Sequence, residues 1–259
     1  MDCFVGIDIG SASSKGIALI DGRMGGSCVI PSGGDYRVAA DRVRDELLSE
    51  SAVSARDVSY TIATGYGAKN AGFADEVVTD ISCQGRGICY LVPSVRTAVD
   101  VGDLFSKAFR IDERGTILTF VLSGKCAGGS GRVLQVIAKV LQIRLEDIGA
   151  LSLESKKRVD FNTGCAVFAE SEAVSRVAEG VRKEDLLAGI HRALAAQINS
   201  LAERVGIERE FALVGGAAKD KGLIKAVEEI TGFEIIVPPE PRLTAALGAA
   251  VIASERVEG

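Results

Sequence analysis

The sequence has no tryptophan, and aromatic residues make up only 5% of its 259 positions, too few for a base-stacking surface. Basic residues do not outnumber acidic ones. Thirty Lys and Arg against 35 Asp and Glu leave a net charge of −5, so no nucleic-acid footprint is expected. No apolar run reaches membrane-spanning length. Residues 1–8 read as the start of a strand, not as a basic segment followed by an apolar one. No two of the six cysteines stand in a C-x-x-C pair, and six in a chain this long do not make a disulfide scaffold. These absences predict a cytoplasmic protein whose thiols stay reduced and available to metals. No low-complexity linker divides the chain.

Glycine is what the chain has in quantity, and it clusters around two cysteines. Gly124-Lys125-Cys126-Ala127-Gly128-Gly129-Ser130-Gly131 and Asn162-Thr163-Gly164-Cys165-Ala166 are each followed by apolar residues at helical spacing. Val133, Leu134, Ile137 and Leu141 follow the first; Phe168, Val174, Val177 and Val181 follow the second. A thiolate at a helix N-terminus is stabilised by the dipole and the free N–H groups. Cys126 and Cys165 are therefore read as two ligands to one metal cluster. A cubane takes about four thiolates, so a second copy or a close paralogue is expected to supply the other half across a symmetric interface. Cys3, Cys28, Cys83 and Cys89 have no such frame and read as structural. His191 sits beside Arg192 in an amphipathic pattern with no metal partner in register, and reads as a surface or packing residue.

A second pattern repeats. Residues 4–10 are a buried-strand pattern ending in a turn, and residues 16–20 are a second strand. A Walker-type loop would place a helix after its lysine, so Ser11-Ala12-Ser13-Ser14-Lys15 is a different phosphate cradle. The same unit returns 92 residues later (100 minus 8): Asp8 falls on Asp100, Gly10 on Gly102, Ser14 on Ser106 and Lys15 on Lys107. Four identities at one offset predict a duplicated fold. Helices are expected over 35–49, 186–205, 220–231 and 244–254, with strands over 58–63, 210–214 and 234–237. This alternation makes an α/β protein. Its two lobes are placed at 1–95 with 242–259, and at 96–241, the second carrying both framed cysteines.

Gly6-Ile7-Asp8-Ile9-Gly10, Asp100-Val101-Gly102 and Val214-Gly215-Gly216-Ala217 resemble the two phosphate motifs and the adenosine motif of the actin, Hsp70 and sugar-kinase superfamily. The cysteine motifs resemble, more specifically, the ATPase family of 2-hydroxyacyl-CoA dehydratase activators and benzoyl-CoA reductase ATPase subunits. The resemblance runs from Val5 to Ala253. It implies a ribonuclease H-like fold used twice, with a nucleotide cleft between the lobes. It also implies a dimer bridged by one [4Fe-4S] cluster, two cysteines per subunit, in which ATP hydrolysis drives a low-potential electron into an acyl-CoA-reducing or dehydrating partner. Carried onto this chain, Cys126 and Cys165 become the cluster ligands, and Asp8 and Asp100 organise Mg²⁺ and its waters. Gly10, Ser11, Ser13, Ser14, Lys15 and Gly102 line the phosphates of ATP or ADP, and Gly215, Gly216 and Ala217 let the backbone approach the adenosine. A ferredoxin-like donor is the implied electron source, and the second subunit is an identical chain or a paralogue.

The second phosphate motif departs from the activators' Asp-Ile-Gly-Gly-Gln-Asp. Here Asp103 replaces a glycine, Leu104 a water-positioning glutamine, and Phe105 an aspartate. An acid at 103 would repel phosphate unless a cation intervenes. Together with residues 111–115, the stretch looks more like the small ATPase-fold subunit of benzoyl-CoA reductase. A small-molecule kinase and a nucleotide switch without redox chemistry are the alternatives on the same fold, and a kinase has no use for two glycine-framed cysteines.

Overall fold

In the computed structural model, residues 2–124, 129–161 and 166–258 are described. Cys126 and Cys165 lie outside the described residues.

Strand β1 (Cys3–Ile9) is buried along its whole length, as its continuous apolar run demands. It pairs antiparallel with β2 (Ser13–Ile20), which places Asp8 opposite Lys15 and Ile9 opposite Ser14. β3 (Arg23–Pro31) adds antiparallel to β2. Helix α1 (Tyr36–Glu50) begins at Asp35, whose carboxylate accepts from the N–H groups of Arg37 and Val38 at 2.9 and 3.2 Å. β4 (Val58–Thr64) then runs parallel to β1, β5 (Glu76–Val77) runs parallel to β4, and α2 (Asp80–Leu91) comes next. The sheet order is β3-β2-β1-β4-β5.

The second sheet repeats this plan. β6 (Thr97–Val101) and β7 (Ser106–Ile111) are antiparallel and put Asp100 opposite Lys107. β8 (Ile117–Leu122) lies outside β7. Helices α3 (Arg132–Leu141), α4 (Ile148–Ser152), α5 (Ala166–Ala178) and α6 (Lys183–Val205) come after it. β9 (Phe211–Val214) is parallel to β6, α7 (Lys221–Thr231) is next, β10 (Ile235–Ile236) is parallel to β9, and α8 (Thr244–Glu258) closes the chain. The order β10-β9-β6-β7-β8 is the first sheet's order read from its other edge. The offset of 92 residues therefore marks a duplicated fold. The chain separates into two compact units, Met1–Val95 with Ile111–Leu118 and Arg242–Gly259, and Arg96–Arg110 with Thr119–Pro241.

Within the first unit, α8 packs backbone to backbone. A Cβ at Gly6 would stand 1.9 Å from the Ala246 carbonyl oxygen, one at Gly87 1.9 Å from that of Thr244, and one at Gly248 1.7 Å from that of Cys83. The small residues of α8 and the glycines of β1 and α2 are thus one packing device. Within the second unit, Val99, Leu213, Ile137, Leu194, Ile198 and Leu223 form the centre of a core that joins β6 and β9 to α3, α6 and α7. His191 belongs to this interior. It is 2% exposed, and its Nε2 lies 3.0 Å from Asp220 Oδ2, the carboxylate that caps α7. Among the described residues, no helix is long and apolar enough to cross a membrane.

Gly248→Ala would drive a methyl group into the Cys83 carbonyl, and we expect it to cost about 1–3 kcal/mol. A Cβ at Gly34 meets nothing within 4 Å, so Gly34→Ala should stay within about 0.5 kcal/mol of the parent. Urea midpoints of the two variants check this; equal midpoints would contradict the close α2–α8 contact.

Candidate functional site

The first turn is built on a buried carboxylate. Asp8 is buried at the end of β1, and its Oδ2 lies 2.9 Å from Lys15 Nζ on β2. On its other side stands Gly65, the residue after β4. Its φ is +90°, and a Cβ there would stand 2.2 Å from Asp8 Oδ1 and 2.8 Å from the Ile9 carbonyl oxygen. Only glycine holds that conformation and that contact at no cost. Gly10 closes the turn, its N–H donating to the Ser13 carbonyl at 3.2 Å. A Cβ on Gly10 would meet Lys15 Nζ at 2.8 Å. Ser14 is fully buried and shares a hydroxyl hydrogen bond with Ser32, which donates to the Gly10 carbonyl at 2.7 Å. Ser11 and Ser13 are half-buried at the mouth.

The second turn has the same parts. Asp100 and Lys107 are buried, with Nζ 3.4 Å from Oδ2. Gly215 comes directly after β9 with φ +87°, and a Cβ on it would stand 2.3 Å from Asp100 Oδ1 and 2.8 Å from the Val101 carbonyl oxygen. Gly65 and Gly215 are thus counterparts. From sequence, Gly215 is expected beside the adenosine and Gly65 has no role. The signal available for Gly65 is its place after the fourth strand of its repeat. A Cβ at Gly216 would meet nothing within 4 Å, whereas Ala217 is packed against the start of α3.

Within each turn, one carboxylate oxygen faces a lysine and the other a glycine backbone. A carboxylate has about four lone-pair sites, and a hard cation with its waters takes oxygen donors of this kind. The paired ammonium and the turn's backbone N–H groups suit an anion. Asp8 and Asp100 therefore fit a hydrated divalent cation, and Lys15, Lys107 and the serine loop fit phosphate.

Asp103 does not stand as bare negative charge in the second turn. Its Oδ2 lies 2.6 Å from Arg132 Nη2, and its Oδ1 accepts from Gln135 Nε2 at 2.8 Å. The cation that an acid at this place requires is thus a side chain of α3. Lys107 Nζ lies 5.5 Å from the centre of the Phe105 ring, a cation–π contact that holds the lysine from the other side. Glu170 is exposed, and Glu172 pairs with Arg176 at 3.3 Å.

Cys3, Cys28 and Cys83 are buried, and desolvation raises all three thiols, Cys28 to about 11 and Cys83 to about 12. Cys89 is half-buried, its Sγ against the Glu113 carbonyl. A metal ligand must be a thiolate, so the three buried thiols are poor ligands. Among the described residues, no group of three or more His, Cys, Asp or Glu side chains could hold a metal ion.

The sequence pattern of the BadF/BadG/BcrA/BcrD ATPase family matches residues 5–253. The solved structure of the Acidaminococcus fermentans (R)-2-hydroxyglutaryl-CoA dehydratase component A superposes with a TM-score of 0.96 at 36% identity, covering 100% of both chains. The activator of the 2-hydroxyisocaproyl-CoA dehydratase from Clostridium difficile, solved with bound ADPNP, superposes with a TM-score of 0.93 at 36% identity, covering 99% of this chain and 96% of that one. A benzoyl-CoA reductase subunit of Thauera aromatica is 35% identical over 73% of this chain and 67% of its own. The likeness to the activators thus extends over more of the chain than the likeness to the reductase subunit.

At about pH 8, where an ordinary thiol is partly ionised, iodoacetamide should leave Cys3, Cys28 and Cys83 unmodified in the folded protein and label them after denaturation. Peptide mass spectrometry checks this; labelling of the native protein at the rate of free cysteine would contradict their burial.

Proposed function

The chain belongs to the BadF/BadG/BcrA/BcrD ATPase family, and from that premise we propose that it is an ATP-dependent electron-transfer subunit serving an acyl-CoA dehydratase or reductase. The observation that carries the nucleotide half of this reading is the twice-built turn, in which Asp8 with Lys15 and Asp100 with Lys107 each face a positive-φ glycine. Asp8 and Asp100 would each suit the waters of a bound Mg²⁺, which would supply positive charge to the phosphates. Lys15, with Ser11 and Ser13 beside it, binds phosphate oxygens, and Gly10 and Gly102 let the backbone come close. Gly215, Gly216 and Ala217 approach the adenosine. Leu104 offers no polar group, so orienting the attacking water would fall to Asp8 and Asp100. A preorganised set of charges of this kind acts on the developing transition state without reorganising.

The electron-transfer half rests on the glycine-framed motifs of Cys126 and Cys165, and on relatives named as dehydratase activators. Two thiolates from each of two subunits would complete a [4Fe-4S] cluster, which supplies one-electron transfer. A ferredoxin-like donor on one side and a catalytic component on the other are the partners this chemistry needs. A nucleotide can favour one arrangement of the protein only through contacts that differ between its states, so hydrolysis gates delivery by changing those contacts. Hydrogen bonding and exposure around cluster sulfurs are what set such a potential.

Anaerobic isolation tests this reading. The protein should be brown, with about four irons per dimer, and Cys126→Ser or Cys165→Ser should lose the iron while keeping the fold. A colourless, iron-free dimer would point instead to a nucleotide switch or kinase. Asp8→Asn and Asp100→Asn should each lower ATP turnover by about a hundredfold or more. Turnover within a few fold of the parent would remove these residues from the proposed site.

A further inference from the structure

The residues that flank 125–128 on both sides are tied to the second phosphate turn. On the near side, Ser106 N–H donates to Ser123 Oγ at 2.9 Å, and Ser123 N–H donates to the Ser106 carbonyl at 2.8 Å. On the far side, Ser106 Oγ donates to the Gly129 carbonyl at 2.5 Å and Ser130 Oγ to the Asp103 carbonyl at 2.8 Å. Gly131 N–H donates to the Gly102 carbonyl at 2.8 Å. Helix α3 starts at this point, and among the described residues Gly131 gives it no side-chain cap. Instead the Asp103 carboxylate takes Arg132 and Gln135, which lie three residues apart and so share a face of α3. The Asp103 side chain is 9% exposed. An acid at a helix N-terminus is also favoured by the dipole.

The first repeat is built differently at this place. Ser11 occupies the position of Asp103 (103 minus 92), and the Gly10 carbonyl is taken by the Ser32 hydroxyl. The acid at 103 is therefore specific to the repeat whose turn leads into a cysteine stretch.

We propose that Asp103 is a positioning residue, joining the second phosphate turn to α3 so that nucleotide at the turn sets the position of that helix. This rests on the nucleotide reading above. The carboxylate is turned to α3, toward Arg132 and Gln135. Its removal should uncouple α3 from the nucleotide while leaving nucleotide affinity intact.

Hydrogen exchange on the anaerobically purified protein, with and without Mg²⁺-ADPNP, tests the proposal on peptides covering residues 129–141. In the parent, ADPNP should slow exchange of the first turn of α3 by about fivefold or more. Asp103→Ala and Arg132→Ala should bind ADPNP within about threefold of the parent yet lose that response. The charge-swapped pair Asp103→Arg with Arg132→Asp should recover it at least in part, which a merely structural role would not do. A response retained in both single variants, or one lost together with ADPNP binding, would overturn the positioning role. A parent that binds ADPNP without any response in α3 would overturn it as well. A parent that binds no ADPNP would overturn the nucleotide reading itself, and this proposal with it.

Discussion

Two buried ion pairs, Asp8–Lys15 and Asp100–Lys107, are the constraint around which the two halves of the chain are arranged. Taking both charges out of water costs free energy that their attraction in the interior only partly offsets. Such pairs are poor devices for stability, and a sheet needs neither. Each carboxylate is held from the opposite side by a glycine of φ near +90°, a place that any other residue type would fill only with strain. Under the proposed function, the same costly pair recurs at equivalent places because nucleotide and cation would need a fixed oxygen and a fixed ammonium on each turn.

The rest of each unit serves that placement. Strands β1 and β6 carry the aspartates, the antiparallel neighbours β2 and β7 bring the lysines opposite them, and the parallel neighbours β4 and β9 end in the supporting glycines. In the first unit the glycines of β1 and α2 let α8 come close enough to fix the sheet from one side. In the second, the chain after β8 leads into α3 through α6. The two repeats share a frame but differ in the segment beyond the turn, and Asp103 marks that difference. In sequence it looks like damage to a phosphate motif; in the fold it is satisfied by Arg132 and Gln135.

Much of this was legible in the sequence because strand and turn chemistry is local. The Asp-x-Gly turns, the serine loop and the offset of 92 residues are visible as residue types at fixed spacing, and they led to the correct duplicated α/β fold. The long amphipathic helices α1, α6 and α7 were legible from periodicity. The edge strands β3 and β8 were not, although the edge strand β10 was expected over 234–237. β3 opens on exposed residues, Gly25 among them, with Gly26 next, and β8 leaves Leu118, Phe120 and Leu122 exposed, so neither reads as a regular apolar alternation. Helix α2 was hidden by Gly85 and Gly87, which lower helix propensity and make sense only against Gly115 and Thr244 across the packing. Likewise Arg132 reads as one more surface cation until the fold brings it to Asp103, and Gly65 reads as a loop residue until it is seen beside Asp8.

The central proposal is that nucleotide binding at the two turns is felt at the cluster proposed for Cys126 and Cys165. A redox titration of the iron-loaded protein, with and without a non-hydrolysable ATP analogue, tests it most directly. The account predicts a midpoint potential that moves when the analogue binds. Identical midpoints, together with identical binding to the acyl-CoA-processing partner, would contradict it.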